Sequence, residues 1–350
     1  MSDASGDDPG PSPAEPVAPL SRRDAAERAR REEPSTDSGP AFQSQVRAAR
    51  SEIEHQIAHA RAEFDQANER IKQRTGRDLI VASIIGVSLG AVLIASLIFI
   101  KWIFLLFTLA AVVLGMFEFC RALTGSGRRV DLVPQIGGAV LLVLAGYFLD
   151  PWLHWVTTFA LVAIVIVWRL ILQMAARDGR TYGDVTDDVL SAGFALLYVG
   201  YLASLCVVLL RQEGGEWWVL GFIITAVAAD TGAYAAGLTF GKHPMAPRIS
   251  PKKTWEGFAG AAIAALAAGV LLGLFMMDIP WWAGLVFGAV ILVSATAGDL
   301  AESMIKRDLG IKDMSSWLPG HGGVLDRLDS ILLSVVAALA LYYLLSPLAA

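Results

Sequence analysis

The chain has 350 residues, of which 55% are apolar and only 17% charged, and its mean hydropathy is +0.54. An average soluble domain has roughly 45–50% apolar and about 25% charged residues, so the surplus must face something other than one water-bounded core, and a bilayer is expected. The net charge of −5 excludes nucleic acid as the main partner, which would call for a basic excess. Cys120 and Cys206 both sit in apolar runs, so neither a disulfide framework nor a cysteine metal site is expected.

Charge divides the chain. Residues 1–78 hold 12 Lys and Arg and 15 Asp and Glu, the following 272 residues only 16 and 18. The first segment therefore reads as a soluble N-terminal extension. It lacks an apolar core of the length a secretory signal needs, so no cleaved targeting peptide is expected. Residues 1–41 are rich in Pro, Ser, Asp, Glu and Arg and are predicted to be a disordered tail. In residues 42–78, Ile53, Ile57, Ala60, Phe64, Ala67 and Ile71 recur at steps of four and three, which places them on one helical face. Such a helix can pair two subunits as a coiled coil, giving a homodimer, or lie amphipathically on the membrane or on its own protein. Alanine at two of six seam positions makes a weak zipper and favours the second reading.

From Asp78 onward the sequence is a succession of apolar runs, each measured against the roughly 20 residues that cross a bilayer as helix. They fall at 79–100, 102–120, 132–149, 152–172, 189–210, 217–240, 257–277, 281–298 and 330–346. The predicted fold is all-α, a polytopic integral membrane bundle of about nine transmembrane helices. Nine crossings put sixteen Lys and Arg residues, counted from Lys72 onward, on the side of the N-terminal flank and the even loops, and only Lys101 and Arg211 on the other. By the positive-inside rule the N-terminus and even loops are cytoplasmic.

Three places carry more polar residues than a plain loop needs. Asp230, in AADTGAYAAG of the sixth span, is a carboxylate inside the membrane; it must face the bundle interior and have a partner. In the following loop, SPKKTWEG, Ser250 and Pro251 read as an N-cap and a first helical residue. Lys252 and Lys253 then fall in the first turn, where cation charge and free N–H groups together suit a phosphate. The preceding Gly241-Lys242 is not a P-loop, because Ala236 stands where that motif needs glycine and His243 where it needs Ser or Thr.

The third place is residues 298–330. Asp299, Ser303 and Lys306, spaced i, i+4, i+7, share one helix face. Pro319-Gly320-His321-Gly322-Gly323 is too glycine-rich for regular structure and can bring backbone N–H groups to a ligand. Asp326 and Asp329, spaced i, i+3, enter the ninth span together. Paired carboxylates beside Lys306, Arg307, Lys312 and Arg327 suit Mg²⁺ bridging polyphosphate oxygens, since that ion takes one or two carboxylates plus substrate phosphates.

The run SMIKRDLGIKDMSSWLPGHGGVLDRLD, Ser303 to Asp329, resembles the defining motif of the phosphatidate cytidylyltransferases, or CDP-diacylglycerol synthases. Ser250–Gly257 and Asp230–Tyr234 are similar to two further features of that family. The resemblance covers about residues 79–350, departs locally at Met314-Ser315-Ser316, and leaves the first 78 residues outside. It implies a multi-pass enzyme that joins CTP and phosphatidic acid into CDP-diacylglycerol and pyrophosphate with a divalent metal, at a cytoplasmic site in a bacterial inner membrane. On that footing Asp299, Asp326 and Asp329 would hold Mg²⁺, with Asp230 lining the cavity near a second cation. Lys306 and Arg307 would neutralise the phosphates, with Ser303 orienting one of them. Lys252 and Lys253 would receive the triphosphate tail, and His321 and Arg327 would contact substrate. Two other classes are expected less: a CTP-dependent lipid kinase, which lacks need of the full motif, and an ion-coupled transporter with Asp230 as coupling carboxylate.

Overall fold

Long apolar runs in lipid can satisfy their backbone only within themselves, so each becomes a helix. The computed structural model describes residues 79–176, 179–315 and 322–349, with Glu52, His55 and His59 besides. The expected tail 1–41, nearly all of the 42–78 helix and His321 lie outside the described residues.

Among the described residues there are nine helices: α1 Leu79–Phe99, α2 Lys101–Gly125, α3 Leu132–Phe148, α4 Pro151–Ala175, α5 Tyr182–Leu210, α6 Gly215–Phe240, α7 Trp255–Phe275, α8 Trp281–Asp308 and α9 Leu325–Leu345. Seven of them are long and apolar enough to cross a membrane by length and composition, while α3, with 17 residues, is shorter. The chain is a multi-pass membrane protein. On α4, Trp152, Phe159, Ile164 and Ile171 are exposed while Val165 and Leu161 are buried, the pattern of a helix with one face on its neighbours and one on lipid.

Helix boundaries follow local chemistry. Asp150 caps α4 by accepting the N–H groups of Trp152 and Leu153, with Pro151 at the first helical position. Thr181 and Asp184 form a capping box on α5. One turn of α5, Leu196–Tyr201, is π-helix.

Alternation places the N-terminal ends of the odd helices and the C-terminal ends of the even ones at one end of the bundle, the basic end. There Asp188, fully buried, accepts from Arg169 at 3.0 Å, Arg180 at 2.7 Å and the Arg129 N–H at 2.7 Å, tying α4, α5 and the α2–α3 loop together. At the opposite end Lys101 pairs with Glu216 at 2.8 Å and Arg211 donates to the Leu149 carbonyl.

One local expectation is overturned. Ser250–Thr254 is not the start of a helix but a strand, β2, paired antiparallel with β1, Pro244–Ala246. Lys252 and Lys253 therefore lie on a hairpin rather than in a first turn. Pro251 drives Ser250 to extended backbone, and two cations would oppose the dipole of a first turn. The helix starts four residues later, where Thr254 caps it by accepting the Gly257 N–H at 3.1 Å and Glu256 supplies the favoured acidic charge. Glu256 also receives the Lys242 and His243 N–H groups and the His243 ring at 2.5 Å, closing the base of the hairpin.

Candidate active site

Helices α6, α7, α8 and α9 meet along small residues. Gly232 of α6 and Gly260 of α7 touch backbone to backbone; a Cβ on Gly232 would stand 2.6 Å from the Gly260 carbonyl. Between α8 and α9 the contact is at Gly298, where a Cβ would stand 2.4 Å from the Asp329 carbonyl. Glycine here lets α9 approach until Asp329 lies against the turn that carries Asp299.

The result is a cleft of about 210 Å³ lined by Asp230, Lys252, Lys253, Thr254, Thr296 and Asp299 among others. Lys253 forms an ion pair with Asp299, whose other oxygen is 3.5 Å from the Ser303 hydroxyl. Asp230 accepts from Ser330 Oγ at 3.1 Å. Asp329 accepts the Ser330 N–H at 2.7 Å and lies within electrostatic reach of both Asp230 and Asp299. Arg327 and Lys253 are likewise within reach of Asp230. Carboxylates of α6 and α8 thus line one space with the cations of β2, and Asp329 and Arg327 of α9 lie within electrostatic reach of it.

Behind this space lies a second, buried cluster. Lys306 donates to Asp326 at 2.9 Å and to Glu302 at 3.3 Å. The other Asp326 oxygen accepts the N–H groups of Met314, at 2.9 Å, and Gly323, at 2.8 Å. Both oxygens of Asp326 are therefore held by the protein, whereas Asp329 accepts one hydrogen bond among the described residues, from its neighbour in the chain. Arg307 is exposed and braces the hairpin, donating to the carbonyls of Ile249 and Ile311.

Sequence reasoning passed over Glu118. This carboxylate of α2 is 1% exposed and accepts from Ser315 Oγ at 2.5 Å, Val324 N–H at 3.0 Å and Leu325 N–H at 2.9 Å. It caps α9 from another helix, satisfying N–H groups the helix cannot satisfy itself. The glycines of the loop serve this clamp: Gly322 has φ +81°, and a Cβ on Gly323 would stand 2.6 Å from Glu118 Oε2. Of the backbone N–H groups expected to face a ligand, that of Gly323 is taken by Asp326, and those of Val324 and Leu325 just beyond are taken by Glu118. A lone acid inside KWIFLLFTLAAVVLGMFEFC was the available signal. Glu302 carried one too, lying between Asp299 and Lys306 on their shared face; Ser330 carried none.

A sequence profile of the Cytidylyltransferase family matches residues 80–345, the helical bundle from α1 to the end of α9. The chain belongs to the cytidylyltransferase family. It is 38% identical over 278 residues to a phosphatidate cytidylyltransferase of Mycobacterium bovis, covering 76% of this chain and 88% of the relative. It is 36% identical over 288 residues to one of Mycobacterium leprae, covering 78% and 90%. Similarity extends to the chloroplastic phosphatidate cytidylyltransferase 4 of Arabidopsis thaliana, at 30% over 283 residues, 70% of this chain and 68% of the relative. The cleft and the buried cluster both lie within the cytidylyltransferase region.

Proposed function

We propose that the chain transfers the cytidylyl group of CTP to phosphatidic acid, giving CDP-diacylglycerol and pyrophosphate for phospholipid synthesis. In this reaction an oxygen of the lipid phosphate bonds to the α-phosphorus of CTP while the bond from that phosphorus to the bridging oxygen of the β-phosphate breaks. Two anions must be held together, so positioning and charge neutralisation carry most of the catalysis. The observation that carries the reading is the cleft itself: Asp230 and Asp299 from two helices, with Lys252 and Lys253 beside them and Asp329 within electrostatic reach, in a member of this family.

The donor set fits Mg²⁺. Among the described residues no three Asp, Glu, His or Cys side chains converge into a complete metal cage, and an ion whose shell is completed by phosphate oxygens asks for only one or two carboxylates. Asp299 and Asp329 would hold it, with Asp230 serving a second cation and Asp326 fixing the loop beside them. When bound, the metal supplies charge neutralisation of the triphosphate. Lys252 and Lys253 receive the β- and γ-phosphates and the departing pyrophosphate. Lys306 stabilises charge at the reacting phosphates, Ser303 orients one of them, and Arg327 meets the lipid phosphate. An attacking phosphate is already ionised near neutral pH, so no general base is required, and His321 donates a hydrogen bond to a substrate phosphate. The basic end of the bundle faces the cytoplasm of a bacterial inner membrane, where CTP is found.

The test uses purified protein in detergent with phosphatidic acid, Mg²⁺ and CTP labelled at either the α- or the γ-phosphate. Label from the α position should enter the lipid fraction and label from the γ position should leave as pyrophosphate. Lipid labelled from the γ position would instead mark a CTP-dependent lipid kinase, and no labelled lipid at all would remove the assignment.

A further inference from the structure

The π-helical turn of α5 points to a role for residues outside the cleft. Such turns are rare and are frequently found at functional sites. Tyr198 sits in the middle of this one. Its ring stacks on Phe194 with centroids 5.4 Å apart and packs against Phe119 at 5.9 Å. The side chain is only 7% exposed, and its hydroxyl has no hydrogen-bond partner among the described residues. It lies beside Glu302 of α8. Glu302 is fully buried; its Oε1 holds Lys306, and its Oε2 is likewise without a partner among the described residues. A buried donor and a buried acceptor, side by side and otherwise unmatched, each carry a full desolvation penalty unless they bond to each other.

We propose that Tyr198 and Glu302 are positioning residues for Lys306. The Tyr198 hydroxyl donates to Glu302 Oε2, the carboxylate so anchored holds Lys306 through Oε1, and Lys306 is kept on Asp326 and within electrostatic reach of Asp329. Glu302 also offsets part of the charge that a buried ammonium would otherwise carry alone. The inference rests on the reading of Lys306 as a cation for the reacting phosphates.

The experiment is steady-state kinetics of the full chain, with CTP and phosphatidic acid varied separately, for Tyr198→Phe, Glu302→Gln and the double variant. Tyr198→Phe keeps the ring stack and removes one hydroxyl. It should lower kcat on the order of tenfold while leaving both KM values unchanged, and the carboxylate oxygen left without its donor should lower the thermal midpoint. The double variant should be no slower than Glu302→Gln alone, because the two residues act in one chain of contacts. Wild-type kcat in Tyr198→Phe, a KM rise in place of a kcat loss, or losses that multiply in the double variant would each overturn the proposal. If Glu302→Gln does not fold, the split between kcat and KM in Tyr198→Phe decides by itself. A wild-type chain that makes no CDP-lipid takes down the functional reading and this inference with it; an active wild type matched by Tyr198→Phe takes down the inference alone.

Discussion

Lys253 of β2 is ion-paired with Asp299 of α8, so the cation proposed for the triphosphate and a carboxylate proposed for the metal neutralise each other before any ligand arrives. A metal held at Asp299 would free Lys253 toward the phosphates, and the two proposed ligands of the cleft would be coupled through one contact. Such a pair explains how carboxylates of three helices tolerate each other's charge in a site partly withdrawn from water.

The coupling has opposite consequences for the two ligands. Lys253→Met removes a competitor for Asp299, so Mg²⁺ measured by titration calorimetry without nucleotide should bind more tightly than to the wild type. The same substitution removes a charge-assisted contact with phosphate, and KM for CTP should rise at least on the order of tenfold. Weaker Mg²⁺ binding in Lys253→Met would show that the lysine organises Asp299 rather than competing for it.

Asp326 and Asp329 are equivalent by spacing and different by environment. Asp329→Asn should lower turnover on the order of 10²–10³-fold, the cost of losing one preorganised electrostatic contact, with an unchanged thermal midpoint. Asp326→Asn breaks the bond to Lys306 and weakens the bonds to Met314 and Gly323. It should destabilise the fold by about 3 kcal/mol, as removal of one partner from a buried pair does. Thermal unfolding in detergent together with activity separates the two outcomes; equal stability in both variants would refute the distinction.

Glu118→Ala leaves the Val324 and Leu325 N–H groups and the Ser315 hydroxyl without their buried acceptor. The expected loss is about 3 kcal/mol or more, since each buried unsatisfied donor costs about 1–3 kcal/mol. Proteolysis should then cut first between Leu309 and Leu325. An unaltered cleavage pattern would mean that the loop is held by other contacts.

Gly298→Ala tests the approach of α8 and α9. The added methyl would meet the Asp329 carbonyl, and forcing the helices apart should cost about 1–3 kcal/mol, the usual penalty of overpacking. Because Asp329 moves with the backbone, activity should fall more than stability, with a raised Mg²⁺ requirement. Wild-type Mg²⁺ dependence would show that the separation of Asp299 and Asp329 is not critical.

The N-terminal extension lies outside the matched region, which begins at residue 80. A chain starting at Phe42 should keep its turnover. A loss greater than about tenfold, or roughly 1.4 kcal/mol of barrier, in correctly inserted protein would assign the tail a catalytic role.

How much of this was legible in the sequence depends on the range of the forces involved. The nine helices were readable from composition because a bilayer forces every apolar run of sufficient length to close its own backbone hydrogen bonds. The alignment of Asp299, Ser303 and Lys306 was readable because it follows from the helical period alone. Spacing could not separate Asp326 from Asp329, because the difference is made by Lys306, Met314 and Gly323, partners set by the course of the loop. Nor could it foresee that Ser250–Thr254 would pair as a strand, since the choice of cap lay between two acceptable residues, and Glu256, His243 and Trp255 decided it by closing the hairpin base. Glu118 and Tyr198 acquire meaning only when α2 and α5 are laid beside α8 and α9: a buried carboxylate or hydroxyl is defined by which donors and acceptors reach it, and those come from segments more than a hundred residues away in the chain.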